Sequence, residues 1–318
     1  MAKTDILVLR RHIFGRDASE YADALRERMP DTEIVFPQTL SEERTHLQKA
    51  KVVTGPSLNE QDLSIADELE LFAYTFAGTD YLDLELFEEY DVRVTNASGI
   101  PAANIAEYVI GAMIAGARDF PRAWRHQQQN TYRSFHTKDV AGSTIAVIGL
   151  GSIGKAIVQR LEGFEVNTIG VRYTPSKGGP TDEIHGFENV KDVAARSDFV
   201  ILACPLTDQT EGLIDDEVLG VMKPESILVN VSRGAVVDTE ALTKRLQRNH
   251  IGYAILDVTD PEPLPSDHPL WDLDNVFLTA HHAGDTPSYY DRLANLIKTN
   301  YESLPDGELT NEVHSDCW

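Results

Sequence analysis

The chain is predicted to be an α/β protein built from two doubly wound parallel-sheet domains. Three observations predict it. Short β-rich apolar runs alternate with amphipathic stretches almost from end to end, the pattern of parallel strands covered by helices on both faces. The 318 residues are long enough for about two domains, each with its own core. One apolar run, Thr144 to Ile148, feeds directly into the glycine turn Gly149-Leu-Gly-Ser-Ile-Gly154 and then a helical stretch.

Taken in order, Asp5–Leu9, Glu33–Phe36, Lys51–Thr54, Leu71–Thr75 and Val92–Thr95 read as the strands of a first unit. Between them lie segments such as Ala18–Arg28, whose apolar residues fall near helical spacing. After Pro101, the stretch Ala102–Arg118 is rich in Ala, Ile, Val and Met and polar only at intervals, which predicts a long and mostly buried helix. Thr144–Ile148, Asn167–Val171, Phe199–Ala203, Ile227–Val231, Tyr253–Leu256 and Val276–Thr279 then supply six strands with intervening helices. That is the strand complement of the doubly wound dinucleotide-binding, or Rossmann, fold. The tail Ser288–Leu304 reads as a helix that returns to the first unit. The expected domains are therefore residues 1–97 plus 286–318, and residues 98–285. No solenoid-period repeat or low-complexity tract interrupts them.

Composition narrows the function. Hydrophobic residues make up 42% and aromatics 8%, a globular balance. Lys and Arg total 28 against 51 Asp and Glu, for a net charge of −23. Such a field repels phosphate backbones and anionic lipid, which argues against nucleic acid or membrane as a partner. The basic residues are ten Lys and eighteen Arg. A dense carboxylate surface with few lysines fits a halophilic, high-salt cytosol, where salt screens the self-repulsion; an ordinary acidic enzyme is the alternative. Two cysteines, Cys204 and Cys317, make no disulfide framework and suit a reducing compartment. No signal-peptide apolar region and no run of about 18 apolar residues is present, so the expected location is cytoplasmic.

In the glycine turn, Gly149 allows the sharp bend, Gly151 lets a pyrophosphate approach the backbone, and Gly154 permits close packing of helix on strand. The helix start, with Ser152 and Ile153, offers unpaired N–H groups and a partial positive charge to the phosphates. An NAD-selecting carboxylate belongs some 20 residues further on, at the end of the second strand. Gly170-Val-Arg172-Tyr-Thr174 has none, and Asp182 and Glu183 come too late. Arg172 instead provides a cation for a 2′-phosphate, with Tyr173 and Thr174 as hydroxyl donors. The expectation is NADP(H) preferred, NAD(H) possible.

Ligands of open α/β sheets sit beyond the carboxyl ends of the strands. Three ionisable residues fall there: Arg233 in Asn230-Val-Ser-Arg-Gly234, Glu262 in Asp257-Val-Thr-Asp-Pro-Glu-Pro263, and His281 after Leu278-Thr-Ala. With the glycine turn and Cys204-Pro-Leu-Thr207 plus Thr210, these motifs span most of the chain in the order of the D-isomer-specific 2-hydroxyacid dehydrogenase family, which the sequence resembles. The length leaves no room for the C-terminal regulatory domain of many phosphoglycerate dehydrogenases.

The resemblance implies a Rossmann cofactor domain, a flavodoxin-like substrate domain completed by the C-terminal helix, and an active site between them. It implies that His281 is the general acid in reduction and the base in oxidation, that Glu262 orients it, and that Arg233 holds the substrate carboxylate. A histidine titrates near neutral pH, a carboxylate partner favours its imidazolium, and a guanidinium grips a carboxylate with two parallel bonds. The loop Thr75-Phe-Ala-Gly78-Thr-Asp80 resembles the family's substrate loop, so the N–H groups of Ala77 and Gly78 become substrate-binding candidates. Cofactor contacts fall on Cys204, Pro205, Thr207, Thr210, Val231, Ser232, Asp257, His281 and Ala283, with Asp257 toward the nicotinamide carboxamide; no metal is expected. Asn96, Gly99 and Asn104 lie at the crossing between domains, and Tyr74, Phe76 and Trp271 bear on pocket size, Trp271 chiefly as packing.

This sequence departs from the pattern in having Ala280 where many relatives have Pro, with His282 directly after His281, and Arg172 in place of the acid. It also has Cys204 at a place where histidine is also seen, with nothing nearby to mark it as a nucleophile or metal ligand. The implied activity is NADPH-dependent reduction of 2-oxo acids to D-2-hydroxy acids by a homodimer. The alternatives are a dinucleotide-sensing corepressor and a formate dehydrogenase, the latter disfavoured by Glu262 where Gln would be expected.

Overall fold

The computed structural model describes residues 4–13, 15–305 and 307–315; Cys317 and the opening Met1-Ala-Lys3 lie outside them. The chain divides into two compact units, Met1–Pro101 with Asp285–Trp318, and Ala102–Gly284.

The first unit opens with β1 (Thr4–Val8), α1 (Ala18–Arg28), β2 (Ile34–Val35), α2 (Leu40–Leu47), β3 (Ala50–Gly55), α3 (Glu60–Leu63), β4 (Leu71–Tyr74), α4 (Leu84–Glu89) and β5 (Arg93–Thr95). The second unit follows with α5 (Ala102–Ala117), α6 (Phe120–Gln128), β6 (Thr144–Ile148), α7 (Ser152–Leu161), β7 (Asn167–Val171), β8 (Glu183–His185), α8 (Val190–Arg196), β9 (Phe199–Leu202), α9 (Asp216–Val221), β10 (Ile227–Asn230), α10 (Thr239–Gln247), β11 (Tyr253–Leu256) and β12 (Val276–Leu278). The chain then returns to the first unit as α11 (Tyr289–Ser303) and β13 (Glu312–Val313).

Local chemistry starts the helices. The carboxylates of Asp17, Asp83, Asp215 and Asp238 accept a backbone N–H from the first turns of α1, α4, α9 and α10, each such cap being worth about 1 kcal/mol. The central strands are mainly apolar because both faces of each sheet are covered. In β6 the alternation is visible: Ile145 and Val147 pack with α5 and α7 residues on one face, while Ala146 and Ile148 join the opposite cluster with α8 and α10 residues. All four are fully buried, each branched side chain contributing about 1.5–3 kcal/mol.

The first sheet runs β13-β5-β4-β3-β1-β2, parallel except for β13. Its parallel core has the flavodoxin-like order. The second runs β12-β11-β10-β9-β6-β7-β8, all parallel. That is the Rossmann order with one further strand at the β12 edge, and it reverses direction between β6 and β9. Three elements were not anticipated. The edge strand β8 is polar (Glu183-Ile-His185), β13 has two residues and runs antiparallel to β5, and α6 follows the long helix with no buried residue of its own.

In the first unit, α11 packs along α1. Tyr290 stacks on Tyr21 with ring centroids 5.2 Å apart, and Arg28 pairs with Asp291 at 2.7 Å. The Tyr289 hydroxyl donates to the Thr75 carbonyl at 2.7 Å. Among the described residues, no helix is long and apolar enough to cross a membrane.

Candidate active site

The glycine turn sits at the point where the second sheet reverses. Gly149 has φ +100°, and a Cβ there would lie 2.5 Å from the Cys204 backbone nitrogen. The backbone after β9 therefore approaches closer than any side chain allows. A Cβ on Gly154 would lie 1.9 Å from the Gly149 carbonyl oxygen, because α7 packs directly on the turn. Around Gly151 the space is open: nothing lies within 4 Å of its would-be Cβ. Gly151 is also the N-cap of α7, and no side chain caps that end. A ten-residue helix thus presents its first-turn N–H groups into an open notch, the cradle a pyrophosphate needs.

At the end of β7, Arg172 is half-buried, and its guanidinium donates to the Gly178 carbonyl at 2.5 Å. Tyr173 is exposed. The first acid after Arg172 in sequence faces elsewhere: Asp182 accepts both the N–H and the hydroxyl of Thr168, at the opposite end of β7. Those bonds hold its carboxyl below the ordinary Asp range. In the β9 loop, Thr210 is buried, and its hydroxyl donates to the Pro205 carbonyl at 2.6 Å and accepts the Thr207 N–H at 2.8 Å. Its place is therefore inside the loop that carries Thr207. Cys204 is buried as well, which pushes its thiol up to about 12; it is no nucleophile at neutral pH.

Arg233, Glu262 and His281 leave the same edge of the sheet as the glycine turn. Asn230 of β10 pairs with Leu202 of β9 and Leu256 of β11, Leu256 pairs with Leu278 of β12, and Leu202 pairs with Ile148 of β6. Since all these strands are parallel, the segments that follow them emerge together. The buried Asn230 side chain shapes the first: its amide donates to the Arg233 carbonyl at 2.9 Å, and its oxygen accepts the Ser232 N–H and hydroxyl at 3.0 and 2.7 Å. Arg233 additionally donates to the Ser232 carbonyl at 2.8 Å. The next residue must be glycine, because a Cβ on Gly234 would sit 2.0 Å from the Thr259 carbonyl.

His281 Nδ1 and Glu262 Oε1 are 2.7 Å apart, so the carboxylate accepts the Nδ1 proton and leaves Nε2 as the outward nitrogen. Both side chains are roughly two-fifths exposed (43% and 42%). His281 adopts φ +48°, a left-handed conformation uncommon for a residue with a side chain. The adjacent His282 has a different environment, its ring edge-on to Tyr108 with centroids 6.0 Å apart.

Asp257, at the end of β11, is buried and holds this loop from beneath. Its carboxylate accepts the Thr279 hydroxyl at 2.6 Å and the N–H groups of His282 and Ala283 at 3.0 Å each, and its carbonyl accepts the His281 N–H at 2.8 Å. That scaffold of Asn230, Thr279 and Tyr108 was missed in the sequence. The available signal was an amide ending an otherwise apolar strand, and polar residues recurring at helical spacing on the apolar α5. Trp271, expected chiefly as packing, is about half exposed, with its indole N–H bonded to the Pro265 carbonyl.

In the first unit, the loop after β4 has three successive carbonyls pinned: Thr75 by Tyr289, Phe76 by the Ala97 N–H and Ala77 by the Asn96 amide. Ala77 and Gly78 are half-buried. Tyr74 is buried, edge-on to Phe76 at 5.6 Å. No cluster of His, Cys, Asp and Glu suited to a metal ion occurs among the described residues.

A seven-stranded doubly wound sheet with a glycine turn at its switch point defines a dinucleotide-binding protein. The chain belongs to the D-isomer specific 2-hydroxyacid dehydrogenase family, whose NAD binding domain matches residues 110–283. It is 30% identical over 301 residues to the D-3-phosphoglycerate dehydrogenase of Methanocaldococcus jannaschii, covering 92% of this chain but 57% of that longer relative. It is 34% identical to the glyoxylate reductase of Pyrococcus horikoshii over 77% of this chain and 75% of the relative. The crystal structure of a D-isomer specific 2-hydroxyacid dehydrogenase from Xanthobacter autotrophicus, in complex with NADPH and MES, superposes with a TM-score of 0.84 at 26% identity, covering 98% of each chain.

Proposed function

We propose that this protein reduces 2-oxo acids to D-2-hydroxy acids with NADPH, using His281 as proton donor, Glu262 to orient it and Arg233 to bind the substrate carboxylate. The observation that carries the reading is the 2.7 Å His281–Glu262 pair, at the sheet edge where the glycine turn and Arg233 also emerge. The glyoxylate reductase relative favours a small 2-oxo acid.

The residues around the glycine turn fit a dinucleotide, since the open notch at Gly151 and the uncapped start of α7 suit its pyrophosphate. When bound, the nicotinamide supplies the hydride to the carbonyl carbon. The chain's own residues do the rest. Arg233 grips the carboxylate and stabilises the negative charge that develops on the carbonyl oxygen. His281 delivers its Nε2 proton to that oxygen, while Glu262 orients the ring by accepting at Nδ1. Ala77 and Gly78 offer backbone N–H groups to the carboxylate. A carboxylate has roughly four lone-pair sites, and Asp257 uses three of them on the loop, so one remains for the nicotinamide carboxamide. Cys204, Pro205, Thr207, Val231, Ser232 and Ala283 line the path of the cofactor, with Thr210 acting through Thr207.

NADPH is favoured over NADH because Arg172 stands at the end of β7 where a carboxylate would select the 2′-hydroxyl, and because Asp182, the first acid after it in sequence, bonds Thr168 at the other end of the strand. The active form is proposed to be a homodimer in a salt-rich cytoplasm. The deciding experiment is a panel of 2-oxo acids run with NADPH and with NADH, with chiral analysis of the product. Cofactor oxidation with D-configured product supports the reading; L-product, or no turnover across the panel, sinks it.

A further inference from the structure

We propose that α5 is a positioning element for the proton donor, with Asn104 and Tyr108 clamping the two ends of the loop that carries His281. The proposal rests on the reading of His281 given above. Residues four apart on a helix share a face. From that face of α5 the Asn104 amide donates to the Ala283 carbonyl at 3.1 Å, and the Tyr108 hydroxyl meets the Thr279 hydroxyl at 2.7 Å. His281 lies between the two attachment points.

The direction of the hydrogen bonds is set by chemistry. The Asp257 carboxylate only accepts, so the Thr279 hydroxyl must donate its proton to Oδ1 at 2.6 Å. The Thr279 oxygen is then an acceptor, and Tyr108 donates to it. Burial pushes the Tyr108 phenol up to about 12, so it keeps that proton at working pH. The result is a one-way chain from Tyr108 through Thr279 to Asp257. Asp257 fixes the loop from β11, and α5 fixes it from the other side. Between them they hold His281 at φ +48°, a conformation a side-chain-bearing residue keeps only where its surroundings over-determine it. Asn104, Tyr108 and Thr279 act on His281 through the loop and are positioning residues, whereas Asp257 and Ala283 also stand among the proposed cofactor contacts.

The test compares Tyr108→Phe, Thr279→Val and Thr279→Ser in the full-length enzyme. Loss of one hydrogen bond behind the proton donor should lower kcat by about three- to tenfold, with KM and the NADPH dissociation constant within about twofold of wild type. Thr279→Ser, which keeps the hydroxyl, should restore turnover. The double variant Tyr108→Phe/Thr279→Val should be no worse than Thr279→Val alone, because both cut the same chain. Amide exchange at His281, His282 and Ala283 should rise severalfold in Tyr108→Phe. This last readout needs no activity: if the wild type turned over none of the panel, faster exchange would still establish the clamp while the proposed reaction failed. Should Thr279→Val not fold, Tyr108→Phe decides alone. Unchanged kcat together with unchanged exchange in Tyr108→Phe overturns the proposal.

Discussion

His281 and His282 are neighbours in sequence and differ in everything that matters for proton transfer. One faces Glu262 at 2.7 Å; the other lays its ring against Tyr108. Replacing His281 with Ala should slow reduction by about 10²–10⁴-fold, whereas His282→Ala should stay within about tenfold. Steady-state rates on the best substrate of the panel check both, and the reverse order would transfer the role. Arg172→Asp should weaken NADPH binding far more than NADH binding in a fluorescence titration; equal losses would remove Arg172 from phosphate recognition. Cys204, with its thiol raised to about 12 by burial, should resist iodoacetamide in the native protein at pH 8 and react after unfolding, as peptide mass spectrometry would show. Arg233, Glu262 and His281 were legible in the sequence because each follows an apolar strand by a few residues. Tyr108, Thr279 and the anchoring role of Asp257 were not: the Tyr108–Thr279 bond joins residues 171 positions apart, and no local pattern announces it.

At the scale of elements, the second and third glycines of the turn, Gly151 and Gly154, make opposite demands. Gly154→Ala places a methyl group 1.9 Å from a carbonyl oxygen. It should cost about 1–3 kcal/mol of stability along with cofactor affinity. Gly151→Ala meets nothing within 4 Å, so thermal stability should stay near wild type while cofactor affinity falls. Calorimetry with a cofactor titration separates the two, and a destabilised Gly151→Ala would mean that the notch is already filled by protein. The main strands of both sheets could be read from sequence, because a strand covered on both faces is an unbroken apolar run such as Ile227-Leu-Val. The edge strand β8 escaped because it is polar and half-solvated. The helix α6 escaped because its pattern has no core to answer to.

For the molecule as a whole, the −23 charge sets the response to salt. Ion pairs such as Lys51–Glu70 and Lys244–Glu240 are solvent-exposed and individually weak, so screening them loses little, while screening the net repulsion gains more. Thermal unfolding should therefore move to higher temperature as KCl rises toward molar concentration; a transition highest in dilute buffer would refute salt adaptation. The path of the chain has its own outcome. Leu25, Tyr21 and Ala22 of α1 belong to the same core cluster as Tyr289, Leu293 and Ile297 of α11, although 260 residues separate the two helices. On the ribosome, the part made first must wait with one oily flank uncovered until nearly the last segment has been threaded out. The nucleotide-sheet unit, made from one continuous stretch, can close before then.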